Sequence, residues 1–330
     1  MTQADFFYNA FQGSLVADAL AMPVHWYYNP AQLIEDYGPI NEFKAPQNPH
    51  PGSILWRSQY QPLNKKGDIL HQQASFWGQP NVHYHQFLKA GQNTLNLKLA
   101  QELYHFTLHR GAYDREAWCQ HYVDCMLTPD WHNDTYLEEF HRGFFTNYAK
   151  GKKLLKCGIK DEHIGGLAQV PALIATYAHL QGSSPLDRSA LRALVRDHVT
   201  LTHRHSNVLR AADCLTRLLW SLSEGIPLRE ALMHDAGDWF SSRKAASWSH
   251  QPDTHVIGQR FSPACYIDQA FPAALYLAWK YFSDFPLALQ ANAEVGGDNC
   301  HRGVVIGALL AHSPTAPPLI AQYHSLQPSK

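Results

Sequence analysis

Apolar residues recur along this chain at intervals of three and four, the spacing that lines one face of an α-helix. Leu95, Leu99, Leu103 and Phe106 form one stripe, and Val208, Ala212, Leu215, Leu219 and Leu222 form another, with Ser206 placed to cap it. A first helix is predicted from about Ala4 to Ala21, with Phe7, Phe11 and Leu15 on its apolar face. Further helix starts are marked by Asp114 before Arg115-Glu116, Ser184 before Pro185, and Asp284 before Phe285-Pro286. Alternating β-branched runs bounded by turn dipeptides are scarce, so the predicted class is all-α. Two stretches break the pattern, residues 36–88, rich in Pro, Asn and Gln, and residues 236–264. Their Trp56, Trp77, Trp239 and Trp248 argue for ordered loops, around short helices in the first case. With no linker and no internal repeat, residues 1–330 read as a single multi-helix domain.

Composition narrows the function. The 330 residues are 45% hydrophobic, with 27 Lys and Arg against 28 Asp and Glu, and this balance argues against a nucleic-acid binder. The longest aliphatic and small-residue run, Gly303 to Ala311, is far short of the roughly 20 residues that span a bilayer. Met1 to Pro23 carries Asp5 and Asp18 and no Lys or Arg, unlike a secretory leader, so a cytoplasmic location is expected. Six cysteines without a C-x-x-C pair predict reduced thiols and no zinc finger. Histidine is the anomaly: protonating all 21 moves the net charge from −1 to +20.

Two places could carry chemistry. Asp18 lies three residues beyond Leu15 on the core face of the first helix, so its carboxylate needs donors or a cation and is either a site residue or an interior anchor. The helix runs out into Met22-Pro23-Val24-His25-Trp26. Near the other end, Gly296-Gly297-Asp298-Asn299-Cys300-His301-Arg302 leads into Val304 to Ala311, which reads as a tight turn, an Asp298 N-cap and a helix start. Such an end can hold a phosphate or, through the carboxylate, a cation; a plain capped helix fits the local pattern as well.

These segments resemble the ADP-ribosylglycohydrolase family. Gly13 to His25 is similar to its G-x-x-x-G-D-A-L-G-x-P-x-E opening, and Gly296-Gly297-Asp298 to its closing G-G-D-T-D-T. Leu99 to Leu103 with Gly111 to Asp114, Gly165-Gly166 to Pro171, and Thr202-His203 resemble further family elements in the same order. The resemblance implies an all-α fold with a central cleft, in which two magnesium ions help to hydrolyse the glycosidic bond between ADP-ribose and a protein or small acceptor. This chain departs from the pattern. His25 stands at the position of the opening Glu, the T-D-D-T element falls near Ala90 to Thr94 without an acid, and only Asp298 survives of D-T-D-T.

Replacing hard oxygen ligands by imidazole, thiol and amide removes most of a magnesium site, so a metal-free site is expected. The lesser alternative is one softer ion such as zinc on His25, Asp298 and Cys300, with His301 beside them. The expected catalytic residues are Asp298 for water activation, Asp18 in support and His25 in place of the Glu. Expected substrate contacts are Gln92, Asn93, Gly165, Gly166, His203, Asn299, His301 and Arg302, the last two meeting phosphate. His83 and His85 read as exposed loop residues, and Cys300 is a minor candidate nucleophile. The expected activity is hydrolysis of an N- or O-glycosidic bond to small-molecule or protein-attached ADP-ribose, or to a related nucleotide, by a monomer with no nucleic-acid or membrane partner. The alternative is a non-catalytic nucleotide-binding or structural member of a crystallin-like or selenoprotein-like branch.

Overall fold

The computed structural model describes residues 1–182 and 184–328. Fifteen α-helices are present among them: α1 Gln3–Ala21, α2 Pro30–Tyr37, α3 Leu95–Arg110, α4 Arg115–Leu127, α5 Glu139–Ala149, α6 Val170–Gln181, α7 Arg188–Val199, α8 Ser206–Ser223, α9 Leu228–Asp235, α10 Ser242–Trp248, α11 Asp253–Gln259, α12 Ile267–Lys280, α13 Phe285–Glu294, α14 Asn299–Leu310 and α15 Ala316–Ser325. Six short 3-10 turns supplement them, and only isolated β-bridges occur among the described residues, so the chain is all-α. None of these helices is long and apolar enough to cross a membrane.

α1 begins in a capping box, in which Thr2 accepts from the Asp5 amide and Asp5 accepts from the Thr2 amide. From Ala10 onward every residue of α1 is buried, because other helices pack around it, α14 most extensively. The two run antiparallel along a seam of small residues. A Cβ on Gly13 would lie 2.2 Å from the Gly307 carbonyl oxygen, and one on Gly307 would lie 2.1 Å from the Gly13 oxygen. Next along the seam, a Cβ on Gly303 would approach that of Ala17 to 3.3 Å. This close approach brings the C-terminal end of α1 and the N-terminal end of α14 together inside the protein.

A turn fixes their register. Gly296 and Gly297 both have positive φ (66° and 63°), and a Cβ on either would strike the carbonyl of Tyr27 or Pro263 at 2.1 Å, so only glycine fits. The Gly297 amide donates to Tyr27, and the Trp26 amide donates back to Gly297 at 2.8 Å. His25 and Asp298 are thereby pinned beside each other.

Several local expectations change. Asp114 and Asp284 cap α4 and α13 through their side chains. Ser206 does not cap α8, whose N-cap is His205, and α7 is capped by Asp187 in place of Ser184, next to residue 183, which lies outside the described residues. Asp298 holds the N-cap position of α14, but its carboxylate bonds to no helix amide because two histidines take it. The 236–264 stretch contains α10 and α11, whereas 38–94 carries only 3-10 turns and wraps the end of α1.

Buried histidines account for part of the compositional anomaly. His50 stacks on Tyr27 with both ring nitrogens unpartnered, and burial pushes it down to about 4. His198, between Tyr113 and Gln169, is pushed down to about 3 by burial and by Arg115.

Two predictions follow from the packing and the histidines. Gly307→Ala is expected to lower stability by about 1–3 kcal/mol, read as a lower urea midpoint at constant slope; an unchanged midpoint would refute the close contact. His50 and His198 titrate near 6.5 when unfolded and far lower when folded. Their neutral burial is therefore fully tolerated above pH 6.5. As pH falls from 6.5 toward 4 the unfolded chain takes up protons that the folded chain refuses, at about 1.4 kcal/mol per pH unit for each group. The urea midpoint should fall over that window, less steeply in His50→Phe; identical slopes would remove His50 from the account.

Candidate active site

The end of α1, the turn before α14 and the wrapping segment converge on one fully buried carboxylate. Asp298 Oδ1 accepts from His25 Nε2 at 2.9 Å and from His301 Nδ1 at 2.6 Å. Its Oδ2 has no hydrogen-bond partner, and His163 Nε2 lies 3.6 Å from it. Burial alone would raise the Asp298 carboxyl, but the His301 charge, the two hydrogen bonds and His163 hold it well below the usual carboxylate range. Burial would likewise lower His301, yet the carboxylates of Asp298, Glu138 and Asp18 raise it to about 9. His25 is driven well below its ordinary value by burial, the Asp298 contact opposing this, so it is neutral.

A second layer supports these groups. His25 Nδ1 meets His85 Nε2 at 2.8 Å, and His85 Nδ1 bonds to Asp134, whose other oxygen accepts from the Leu95 amide at the start of α3. His301 Nε2 meets the Asn96 amide at 2.8 Å, and that amide also contacts Glu138 and His141. Glu138 is fully enclosed, and burial raises its carboxyl to about 7. His163 accepts the Gly165 amide at Nδ1, 2.8 Å away, so its proton sits on Nε2 and points toward Asp298.

The expected site residues divide sharply. Asp298, His25 and His301 come together. Asp18 is buried in a different role: Asn93 and Thr94 donate to its two oxygens at 2.7 to 2.9 Å, so it anchors the segment leading into α3. Asn93 is committed to that anchor, and Gln92 accepts from the Lys89 amide beside it. Arg302 cannot meet a phosphate, because its guanidinium is wholly buried and donates to the carbonyls of Pro263 and Gly296 and to the Asn292 side chain. Asn299 donates its side-chain amide to the carbonyls of Val24 and Ala293, while its Oδ1 is buried without a partner.

Cys300 does not join His25 and Asp298 around a common point. Its sulfur faces the Asp18 carbonyl at 3.6 Å across the α1 seam, and burial holds the thiol far above its ordinary value, which also removes it as a nucleophile. Gly165 positions His163, and Gly166 allows close packing, since a Cβ there would lie 2.6 Å from Val208. His203 packs on Phe140, with Nδ1 on Thr202 and Nε2 unpartnered. His83 and His85 are not exposed but almost completely buried, because the 38–94 segment folds over the end of α1; His83 donates to the Pro23 carbonyl. His85, Asp134, Glu138, Asn96, His141 and His163 are the site groups that sequence reasoning missed. His83-x-His85 was the one visible signal.

A cavity of about 190 Å³ opens next to this cluster, walled by Trp26, Tyr28, Tyr84, Tyr136, His163 and Cys265. Asp298 lies behind that wall, with its carboxylate within 4.8 Å of His163 and Cys265 ligand atoms. Trp26 stacks on His25 at 3.8 Å and so joins cavity and cluster. A larger cavity, about 570 Å³, lies between Trp239, Trp248 and Arg260 and contains none of these groups.

Comparison with known proteins agrees with this arrangement at the level of fold and family. Residues 1–312 match the family model described as ADP-ribosylglycohydrolase. A solved structure described as an ADP-ribosylglycohydrolase-related protein complex is similar over 97% of this chain and 96% of its own, with a TM-score of 0.60 at 18% identity. No curated protein sequence matches.

The Arg302 assignment is testable by stability. Arg302→Met should cost about 3 kcal/mol, because carbonyls lose their donor inside the protein. A variant as stable as the parent would return Arg302 to the list of ligand contacts.

Proposed function

Because this chain belongs to the ADP-ribosylglycohydrolase family, we propose that it is a hydrolase that cleaves an N- or O-glycosidic bond at the ribose of ADP-ribose or a related nucleotide, in the cavity beside Asp298. The observation that carries this reading is the free Asp298 Oδ2 facing the Nε2–H of His163 at the cavity wall. Glycoside cleavage passes through an oxocarbenium-like state, which needs negative charge near the anomeric carbon, a water on its face and a proton for the leaving group. Asp298, held anionic, supplies the charge and orients the water through Oδ2. His163 donates a hydrogen bond from Nε2 toward the leaving atom, and the proton which that atom takes up comes from the attacking water as its O–H bond breaks. His25 and His301 hold the carboxylate in place.

The family's magnesium pair does not fit the residues here. The groups closest to Asp298 are imidazoles, and both oxygens of Asp18 are already filled by Asn93 and Thr94, whereas magnesium requires an octahedron of oxygens. The cavity walls also bear on the substrate. They carry aromatic rings with Glu139 and Asp161 and no Lys or Arg, so they suit a sugar with its hydroxyls and an aromatic group. A pyrophosphate then lies toward solvent, outside the walls. A non-catalytic nucleotide-binding or structural member is the second reading, favoured by the complete internal saturation of Asp18 and Arg302.

The deciding assay incubates the purified protein with ADP-ribosylated arginine, ADP-ribosylated serine and O-acetyl-ADP-ribose, and with the corresponding ribosyl compounds, and measures the released sugar. Release that falls at least 100-fold in Asp298→Asn and in His163→Gln, with the fold retained, is the expected outcome. No release from any of them sinks the hydrolase reading and leaves the second one.

A further inference from the structure

The hydrogen bonds around Asp298 pose a problem of proton number. Three bonds link Asp298, His25, His85 and Asp134 in a row, and each needs a proton. Two neutral imidazoles bring two, so the third is an extra proton buried among groups at most 2% exposed. On the other side, His25 and His301 both donate to Oδ1 of Asp298, while Oδ2, equally buried, has only the longer approach of His163 Nε2 at 3.6 Å. Both short contacts to the carboxylate thus converge on one oxygen from two imidazole nitrogens.

We propose that His25 Nε2, His301 Nδ1 and Asp298 form the ligand set of a single borderline divalent ion, with zinc the best match. Their ligand atoms already lie within 4.8 Å of one another. Placing the ion there replaces the protons on His25 Nε2 and His301 Nδ1, and every histidine in the row becomes neutral. His25 then donates from Nδ1 to His85 Nε2, and His85 donates from Nδ1 to Asp134. The Asn96 amide, after a half-turn that exchanges its oxygen and nitrogen, accepts from His301 Nε2 and donates to His141 Nε2, while Glu138 in its neutral form donates to the same amide oxygen. Each ligand histidine thus passes its other nitrogen to a partner that fixes its orientation, the usual support of a protein metal site.

Two imidazoles and one carboxylate are a zinc-type set with an open position, and they are the wrong set for magnesium. Two other groupings fail. His163, Cys265 and Asp298 converge as closely, but the Gly165 amide occupies His163 Nδ1, so its Nε2 carries a proton and has no free lone pair. Glu102, His121 and Cys125 are a helix-surface ion pair with a thiol that burial holds at about 12.

The test needs no substrate. Protein expressed without a histidine tag is stripped with chelator, dialysed against equimolar Zn2+, Co2+ and Mg2+, and analysed for bound metal. One equivalent of zinc is expected, together with a visible Co2+ absorption when cobalt is supplied alone and a higher melting temperature on adding zinc. In folded Asp298→Asn and His301→Gln proteins the bound zinc should drop at least tenfold, while Cys265→Ser and Cys300→Ser retain it. Less than about one-tenth equivalent on the folded parent, preference for Mg2+, or full zinc retention in both ligand variants overturns the assignment. The outcome is independent of the hydrolase reading: a protein that holds zinc but releases no sugar loses only the activity, and one that hydrolyses without zinc loses only the metal.

Discussion

Everything around the site depends on keeping one carboxylate, Asp298, entirely out of water. An isolated buried carboxylate is so costly that it protonates unless donors or a cation surround it. Here the surroundings are built from four distant parts of the chain: His25 after α1, His85 in the wrapping segment, His163 before α6 and His301 in α14. The charge that results is fixed and oriented, with Oδ1 taken by two histidines and Oδ2 buried without a hydrogen-bond partner behind the cavity wall.

The fold makes this possible through small residues. Gly13, Ala17, Gly303 and Gly307 let α1 and α14 approach until backbone touches backbone, and the two left-handed glycines at 296 and 297 lock the segment after α1 to the turn before α14. Polar residues nearby are absorbed by the architecture that this contact requires. Asp18 ties down the start of α3, Asn299 caps carbonyls of two neighbouring segments, and Arg302 fills the space under the Gly296 turn. Their burial explains why residues next to the reactive cluster in sequence are not part of it.

Much of the fold was legible from periodicity, because a helix that buries one face must space its apolar residues by three and four. The stripes at Leu95 to Phe106 and Val208 to Leu222 fall within α3 and α8, and the Asp114 and Asp284 caps stand where their side chains imply. The Asp298 cap failed because a capping side chain is a local preference that tertiary partners override, here His25 and His301, whereas the N-caps of α7 and α8 fall at Asp187 and His205, not at Ser184 and Ser206. His85 illustrates the same limit. Proline-rich, polar loops are normally solvated, and nothing within the 36–88 stretch reveals that it covers the end of a helix.

The sequence by itself determined the all-α class, the family and the two end motifs, since these rest on spacing and on residues adjacent in the chain. It also brought forward Asp298, His25 and His301. Only the tertiary structure decided which of the polar neighbours face one another: that Cys300 turns away to Asp18, that Arg302 and Asn299 are internal braces, and that His85, Asp134, Asn96 and His163 complete the cluster. The reason is physical. Hydrogen-bond and ligand geometry depends on distances of about 3 Å between residues hundreds of positions apart, and those distances are set by helix packing.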